Sequence, residues 1–387
     1  LFDEISASTI EAFVKGQVSR VLFTATPWLR MLRTNKSIYR EWQGGSYQKV
    51  PFDLQPVPGG AYSPGTDTFG LQQSQTIDDM VYAPKFYNSE VVILATYTDV
   101  YNREPRQIVN ILKEKYGNAS NTIDSRVAQD IPNHGQAAGT GVTNNRTNNL
   151  NGFAEFLNNG IDNGWTGEWF PTVGGQTRNA ALTGTTLNSV PFWAGDQLGN
   201  AGAVSNQILN RTYNRCKQGK GEGSVIGGKP NYGLASDFLY GCISDRVFPL
   251  QRVDAEIKDP RIGLTGMKFN NAVIFPDSYT PGTQNSLYIQ DTIAANAVTT
   301  STFTSVASPS AFSNLPASTT INVGETFWWL RDDTWRFSYP RSGRYAFKPR
   351  GLQEAFDGDI LADIIRAAIV MYCLVPSSNQ QVYGFNS

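Results

Sequence analysis

EVVILATYTDVYNREPRQIVNILKEKYGNASNTIDSRVAQDIP, residues Glu90 to Pro132, changes its period halfway along. The first part, Glu90 to Val100, is strand-like. Its run Val91-Val92-Ile93-Leu94 predicts burial on both faces. The second part carries Ile108, Ile111, Leu112, Tyr116, Ala119, Ile123 and Val127, spaced by three or four as one apolar stripe of a helix. Glu104 and Pro105 open that helix, because a proline's fixed φ and missing N–H suit the first helical position. Pro132 stops it, and Gly117 weakens it by about 1 kcal/mol relative to Ala. Far downstream, the segment Asp359 to Val375 starts helix-like. It contains Ala367-Ala368-Ile369-Val370-Met371-Tyr372-Cys373-Leu374, a buried strand of the same sheet as Val91 to Tyr97. Strand, long helix and returning strand predict an α+β fold.

Upstream, Ser8 and Glu11 form a capping box for a helix carrying Ile10, Phe13, Val14, Val18, Val21 and Leu22. Pro27 breaks it. Trp28, Leu29, Met31 and Leu32 then make an apolar patch on a thin arm, which must dock on something. From Trp42 to about Tyr87, glycines and prolines punctuate two alternating pieces, Ser46 to Phe52 and Thr76 to Lys85. They predict a long two-stranded projecting loop, and loops of that length are usually functional or partner-bound.

Downstream, Gly135 to Asn149 is a polar linker, and Leu150-Asn151-Gly152-Phe153 with Leu157 begins a short element. Gly160 to Leu198 is loop-rich. Ser205 caps a helix with Ile208, Leu209, Thr212 and Cys216. A further helix is expected near Leu234 to Ile243. Strands are expected at Met267 to Phe275, Ser286 to Ile289, Glu325 to Leu330 and Gln381 to Phe385, with a Ser/Thr/Ala insertion from Ala294 to Thr320.

Composition narrows the function classes. The 387 residues include 32 Lys plus Arg and 33 Asp plus Glu, a net charge of -1, so no global basic field draws nucleic acid. Aromatics at 12% exclude a disordered chain. Three cysteines, Cys216, Cys242 and Cys373, are too few for a disulfide scaffold and read as reduced thiols. The single histidine, His134, reads as a solvated loop residue and leaves no multi-His metal site. The longest apolar run, Ala367 to Val375, is about half of the ~20 residues that a membrane span needs. The acidic start lacks a signal peptide's basic and apolar regions, and the absence of Met suits a processed N-terminus.

Motifs for chemistry fail on inspection. Gly223-Ser224-Val225-Ile226-Gly227-Gly228-Lys229 matches G-x-x-x-x-G-K, but Pro230 stands where a phosphate loop needs Ser or Thr. Asp78-Asp79 and Asp332-Asp333 are adjacent and read as solvated pairs rather than catalytic dyads. Asn118, Asn145 and Asn210 begin Asn-x-Ser/Thr triplets expected by chance. The strongest charge feature is Arg331, Trp335, Arg336, Phe337, Tyr339, Arg341, Arg344, Tyr345, Lys348 and Arg350. It reads either as a contact surface toward carboxylate or phosphate, or as a β-hairpin whose arginines cover aromatic faces.

This order of elements resembles the major capsid proteins of tailed bacteriophages, with the Hong Kong 97-type fold. Thr26-Pro27-Trp28-Leu29 followed by Gly44-Gly45 looks like that family's N-terminal arm leading into its extended loop. Leu150-Asn151-Gly152-Phe153 after a long helix looks like the entry to its axial domain. Val190-Pro191-Phe192-Trp193 and Gly266-Met267-Lys268-Phe269-Asn270-Asn271-Ala272-Val273-Ile274 resemble the core of that domain. The resemblance implies an arm over 1–41, an extended β-hairpin loop over 42–88, a peripheral domain over 89–140 and 355–387 with the spine helix, and an axial domain over 141–354.

It also implies a structural protein, with no catalytic, cofactor or metal site, that self-assembles into hexamers and pentamers. These would form the icosahedral head shell of a virion around double-stranded DNA, assembled in the host cytoplasm. Implied partners are copies of itself, with scaffolding, portal and decoration proteins, non-specific contact with packaged DNA, and no membrane. Contacts between subunits are expected at Trp28, Leu29, Trp42, Lys49, Tyr62, Arg336, Arg341 and Arg344. Some members of that family crosslink a Lys of the extended loop to an Asn elsewhere, and Lys49 is the obvious Lys of this loop. The other readings are a β-rich virion surface or receptor/glycan-binding protein and, third, a carboxylate-based hydrolase.

Overall fold

The computed structural model describes residues 27–35, 38–42, 45–53, 77–94, 105–139, 141–142, 145–160, 164–177, 195–199, 201–216, 228–247, 257–259, 264–281, 301–302, 320–321, 325–340, 346–348, 353–354 and 360–386. Its helices are α1 (Pro27–Thr34), α2 (Pro105–Asp130), α3 (Phe153–Phe156), α4 (Asn206–Arg215) and α5 (Asp237–Val247). The strands begin with β1 (Tyr39–Trp42), β2 (Gln48–Asp53), β3 (Ile77–Tyr82), β4 (Lys85–Leu94), β5 (Thr172–Val173) and β6 (Gln176–Thr177). They continue with β7 (Asp196–Leu198), β8 (Gly202–Ala203), β9 (Tyr232–Ala235), β10 (Ile257–Asp259), β11 (Leu264–Phe269), β12 (Ala272–Pro276), β13 (Ser301–Thr302) and β14 (Thr320–Ile321). The last are β15 (Glu325–Leu330), β16 (Trp335–Pro340), β17 (Ala346–Lys348), β18 (Gln353–Glu354), β19 (Ile360–Cys373) and β20 (Gln380–Asn386).

The predicted pairing of the 90s with the C-terminal strand is present. β19 runs antiparallel to β4 from Ile360 opposite Leu94 to Ile369 opposite Lys85. All 14 residues of β19 are strand, without the helical start expected of it. β16, β17 and β18 pair in turn with successive segments of β19, and β1 adds in parallel to β16. The Arg-aromatic segment is therefore an interrupted strand laid along β19, not a hairpin. β4 is buried only at Val91 and Ile93, while Val92 is 43% exposed. It has one covered face, because α2 packs on one side alone. Two tyrosine–aspartate hydrogen bonds hold α2 there. Tyr116 donates to Asp363 of β19 at 2.6 Å, and Tyr87 of β4 donates to Asp130 at 2.6 Å. Burial, then the Asp363 carboxylate, pushes the Tyr116 hydroxyl up to about 12.

The second sheet has eight strands, ordered β10-β11-β12-β9-β15-β20-β7, with β8 also on β20. Every residue of β15 is buried. Alternation sends Trp328 and Leu330 into the main core, and Phe327 and Trp329 into a second core under α4 and α5. Ser205 caps α4 as expected, accepting from the Ile208 N–H at 3.3 Å. The stretch Met267 to Phe275 is not one strand. It turns at Asn270-Asn271, and Asn270 takes φ 52, a left-handed conformation that asparagine tolerates. The helix expected from Leu234 starts at Asp237, because Tyr232 to Ala235 is spent as β9 between β12 and β15. β20 also departs from expectation. It pairs with β15 and lies in the eight-stranded sheet, so 355–387 does not follow one sheet.

The arm's apolar patch docks inside the chain. Pro27 begins α1 rather than only ending an earlier helix. Trp28 is 1% exposed and packs edge-on against Phe153 and Trp335 at 5.6 and 5.7 Å. The helix expected at 8–22 and the strand at Ser286 to Ile289 lie outside the described residues. So does the insertion from Ala294 to Thr320, apart from β13 and the first residue of β14, which pair with each other.

Candidate assembly surfaces

The projecting loop has the expected two-stranded stem, β2 against β3 from Gln48 opposite Tyr82 to Asp53 opposite Ile77. One side of the stem is anchored. Val50, Met80 and Tyr82 enter the main core, with Tyr82 stacked on Tyr372 at 5.7 Å. The β5–β6 turn extends this anchor. Val81 N–H donates to the Gly174 carbonyl at 2.9 Å, and Gln176 Nε2 donates to Asp78 and to the Asp79 carbonyl. Gly174 has φ +55, and a Cβ there would stand 2.8 Å from the Met80 Cβ. The stem's other side is open, with Tyr47 60% and Val81 37% exposed, and Lys49 exposed opposite Val81.

Beside the stem is a cleft of about 520 Å³, lined among others by Val81, Lys85, Gly135, Gln136, Glu155 and Gly174. Its charges are already engaged. Lys85 donates to the Gly135 and Thr147 carbonyls, and Glu155 accepts from the Gly135 N–H and Asn151. Burial pulls the Lys85 ammonium below its ordinary value. This cleft is a bracket joining the stem to the exit of α2.

The same junction corrects the reading of His134. It is 1% exposed, its Nε2 lies 2.8 Å from Glu168 Oε2, and its ring meets Phe170 at 4.9 Å. Asn158 knits the loop by accepting from the Gly160 and Phe170 N–H groups. Sequence reasoning missed this pair because Glu168 is remote along the chain and no local pattern announces it. Asp332 is likewise buried rather than solvated, accepting from Asn231 at 2.6 Å and Asn35 at 3.3 Å.

Lys229 of the rejected phosphate motif donates to the Asn214 and Cys216 carbonyls at the end of α4, where a cation complements the helix dipole. All three cysteines are free thiols, and burial pushes Cys216 above its usual range. Among the described residues, no three His, Cys, Asp or Glu side chains could hold a metal ion. No helix there is long and apolar enough to cross a membrane.

The expected contact residues separate into three groups. Trp28 and Leu29 are interior, so the subunit's own core takes up the patch expected to meet a neighbour. Trp42, half-buried at the end of β1, and exposed Lys49 remain at the surface, whereas Arg336 on β16 is buried at 9% exposure and joins the interior group. Tyr62, Arg341 and Arg344 lie outside the described residues, as does Val190 to Trp193.

Sequence reasoning also missed the open face of the six-stranded sheet. Phe86 is 59% exposed, and Asn88, Glu90 and Val92 are exposed beside it. The period-two signal was there, but the apolar run Val91 to Leu94 masked it.

No protein-family model matches the sequence, and no curated protein matches it. Solved structures do. The capsid of cyanophage A-1(L) is 13% identical, with a TM-score of 0.54, covering 96% of this chain and 95% of that one. The encapsulin SrpI of Synechococcus elongatus PCC 7942 is 9% identical, with a TM-score of 0.49 over 96% and 95%. A chain of Gordonia phage Cozz is 10% identical, with a TM-score of 0.44 over 97% and 94%. The agreement with the cyanophage capsid runs through nearly the whole of both chains, and this chain has the Hong Kong 97-type major capsid fold.

Proposed function

We propose that this chain is a major capsid protein, whose copies form pentamers and hexamers that close an icosahedral shell around double-stranded DNA. The observation that carries the reading is the end-to-end likeness to the cyanophage A-1(L) capsid chain. The physics of the subunit agrees with it. An extended hairpin anchored on one side and open on the other spreads contacts over neighbours, and heterologous contacts close rings. A net charge of -1 limits repulsion among many copies. The six-stranded sheet with α2 would be the peripheral domain, and the eight-stranded sheet with α4 and α5 the axial one. Scaffolding, portal and decoration proteins are the expected partners, and DNA contact is sparse and sequence-independent. The protein works in the virion after assembly in the host cytoplasm, and it is not an enzyme.

Negative-stain electron microscopy with light-scattering mass tests this on the purified chain, alone and co-expressed with a scaffolding protein. Closed shells or five- and six-fold rings are the expected outcome. Compact trimers that bind glycans would replace the reading with a surface binder.

A further inference from the structure

The register of the six-stranded sheet places Arg336 opposite Tyr372, Arg40 opposite Ser338, and Glu90 opposite Ile364. Side chains two apart along a strand share a face. Arg40, Arg336 and Glu90 therefore stand on the face turned away from α2, which packs over Val91 and Asp363, and at the Arg336 end Tyr82 of the stem covers Tyr372 on that face.

One end of that face is basic. Nη1 of Arg336 donates to the Asp333 and Trp335 carbonyls at 2.6 and 2.7 Å, which fixes the guanidinium in place. Exposed Arg40 lies close enough that, after burial, it is the next cause lowering Arg336 from its ordinary value. Among the described residues, neither guanidinium has a carboxylate within ion-pair distance. The other end is acidic. Glu90 is exposed and has no partner among the described residues, between exposed Phe86 and Val92. Tyr372 and Ile364 stand roughly 27 Å apart along β19, at about 3.4 Å per residue. The two ends cannot meet within one subunit.

We propose that they meet between copies, exposed Arg40 of one subunit, with the buried Arg336 guanidinium behind it, holding the Glu90 carboxylate of the next while Phe86 and Val92 are covered at the same contact. The contact rests on the shell reading and deepens it. It is heterologous, the kind that closes rings. The planar fork of Arg40 matches the two oxygens of one carboxylate, and the second positive charge behind it adds to the attraction. A DNA duplex fits less well, since it carries a charge about every 1.7 Å and its binding draws on several neutralised phosphates.

Three variants test the contact: Arg40→Glu, Glu90→Lys, and the two combined. Sedimentation of the expressed full chain reads the assembled fraction. Each single variant should lower that fraction about tenfold or more, and the combination should restore a large part of it. Thermal unfolding of the unassembled subunit should not fall to lower temperature, because both side chains are exposed and Arg40→Glu relieves the repulsion with Arg336. Single variants that assemble like the wild type, or a combination no better than either, overturn the contact and leave the shell reading standing. Arg40→Glu shells of normal yield that hold less DNA assign the pair to nucleic acid and also overturn it. A wild-type chain that stays monomeric removes the shell reading and this contact with it.

Discussion

The two sheets divide the work of the molecule. In the eight-stranded sheet, β15 is buried at every residue, with one core on each face. In the six-stranded sheet, β4 is buried at two residues and open at every second one. A strand covered on both faces has nothing left to offer a neighbour and contributes only to the subunit. A strand covered on one face leaves its other side chains available. The contrast teaches where substitutions should unfold the chain and where they should change only its association.

The closed sheet should show the largest effect. Trp329 is 0% exposed, donates from Nε1 to Thr212 at 2.9 Å, and packs edge-on against Phe327 at 4.7 Å. Trp329→Ala should cost about 3–5 kcal/mol in denaturant unfolding. A loss below about 1 kcal/mol would mean that this core can collapse around the gap, contrary to its close packing.

pH probes the same region. Asp277, in the loop after β12, is buried, and desolvation holds its carboxyl up at about 7, with the Asp237 charge acting in the same direction. The folded state then keeps a proton that the unfolded chain releases near ~3.9. Its contribution is full below that value and drains as pH rises through about 7. Stability of the unassembled subunit should fall over that window. Asp277→Asn should flatten the slope while keeping the acceptor for the Tyr279 N–H. An unchanged slope would assign the pH dependence to another group.

The hairpin stem bridges the two regimes. Gly174→Ala puts a methyl against Met80 and strains a left-handed backbone at a cost of about 1–2 kcal/mol. Hydrogen exchange should show β2 and β3 opening while β15 stays protected. Uniform loss of protection would show instead that the stem and the core unfold as one unit.

Legibility in the sequence followed the same division. α2 was readable because Pro105 and Pro132 bracket an apolar stripe, and β19 because its apolar run is long. β15 was visible in Trp328-Trp329. Long-range partners were not readable. His134 meets Glu168, and Asp332 meets Asn231 and Asn35, through folding alone, so both were read as solvated. Trp28 and Leu29 looked like surface contacts because nothing local shows that Phe153 and Trp335 receive Trp28. The Asn270-Asn271 turn did carry a local signal, two turn-prone residues between apolar runs, and Met267 to Phe275 was still read through it.

The smallest effect on the subunit sharpens the contrast most. Val92 is an apolar side chain in a strand, and sequence alone would place it in a core. Here it is 43% exposed. Val92→Ser removes little buried area from the subunit, so unfolding of the unassembled chain should shift by no more than about 0.5 kcal/mol. If this face meets a neighbour, the same substitution must cost more in the assembly, because it puts a hydroxyl into a dry contact. Sedimentation should then show a reduced assembled fraction at unchanged subunit stability. A loss of both together would place Val92 in the fold, and a loss of neither would leave this face to the solvent. Only the split between the two measurements separates a surface kept for association from one that is merely exposed.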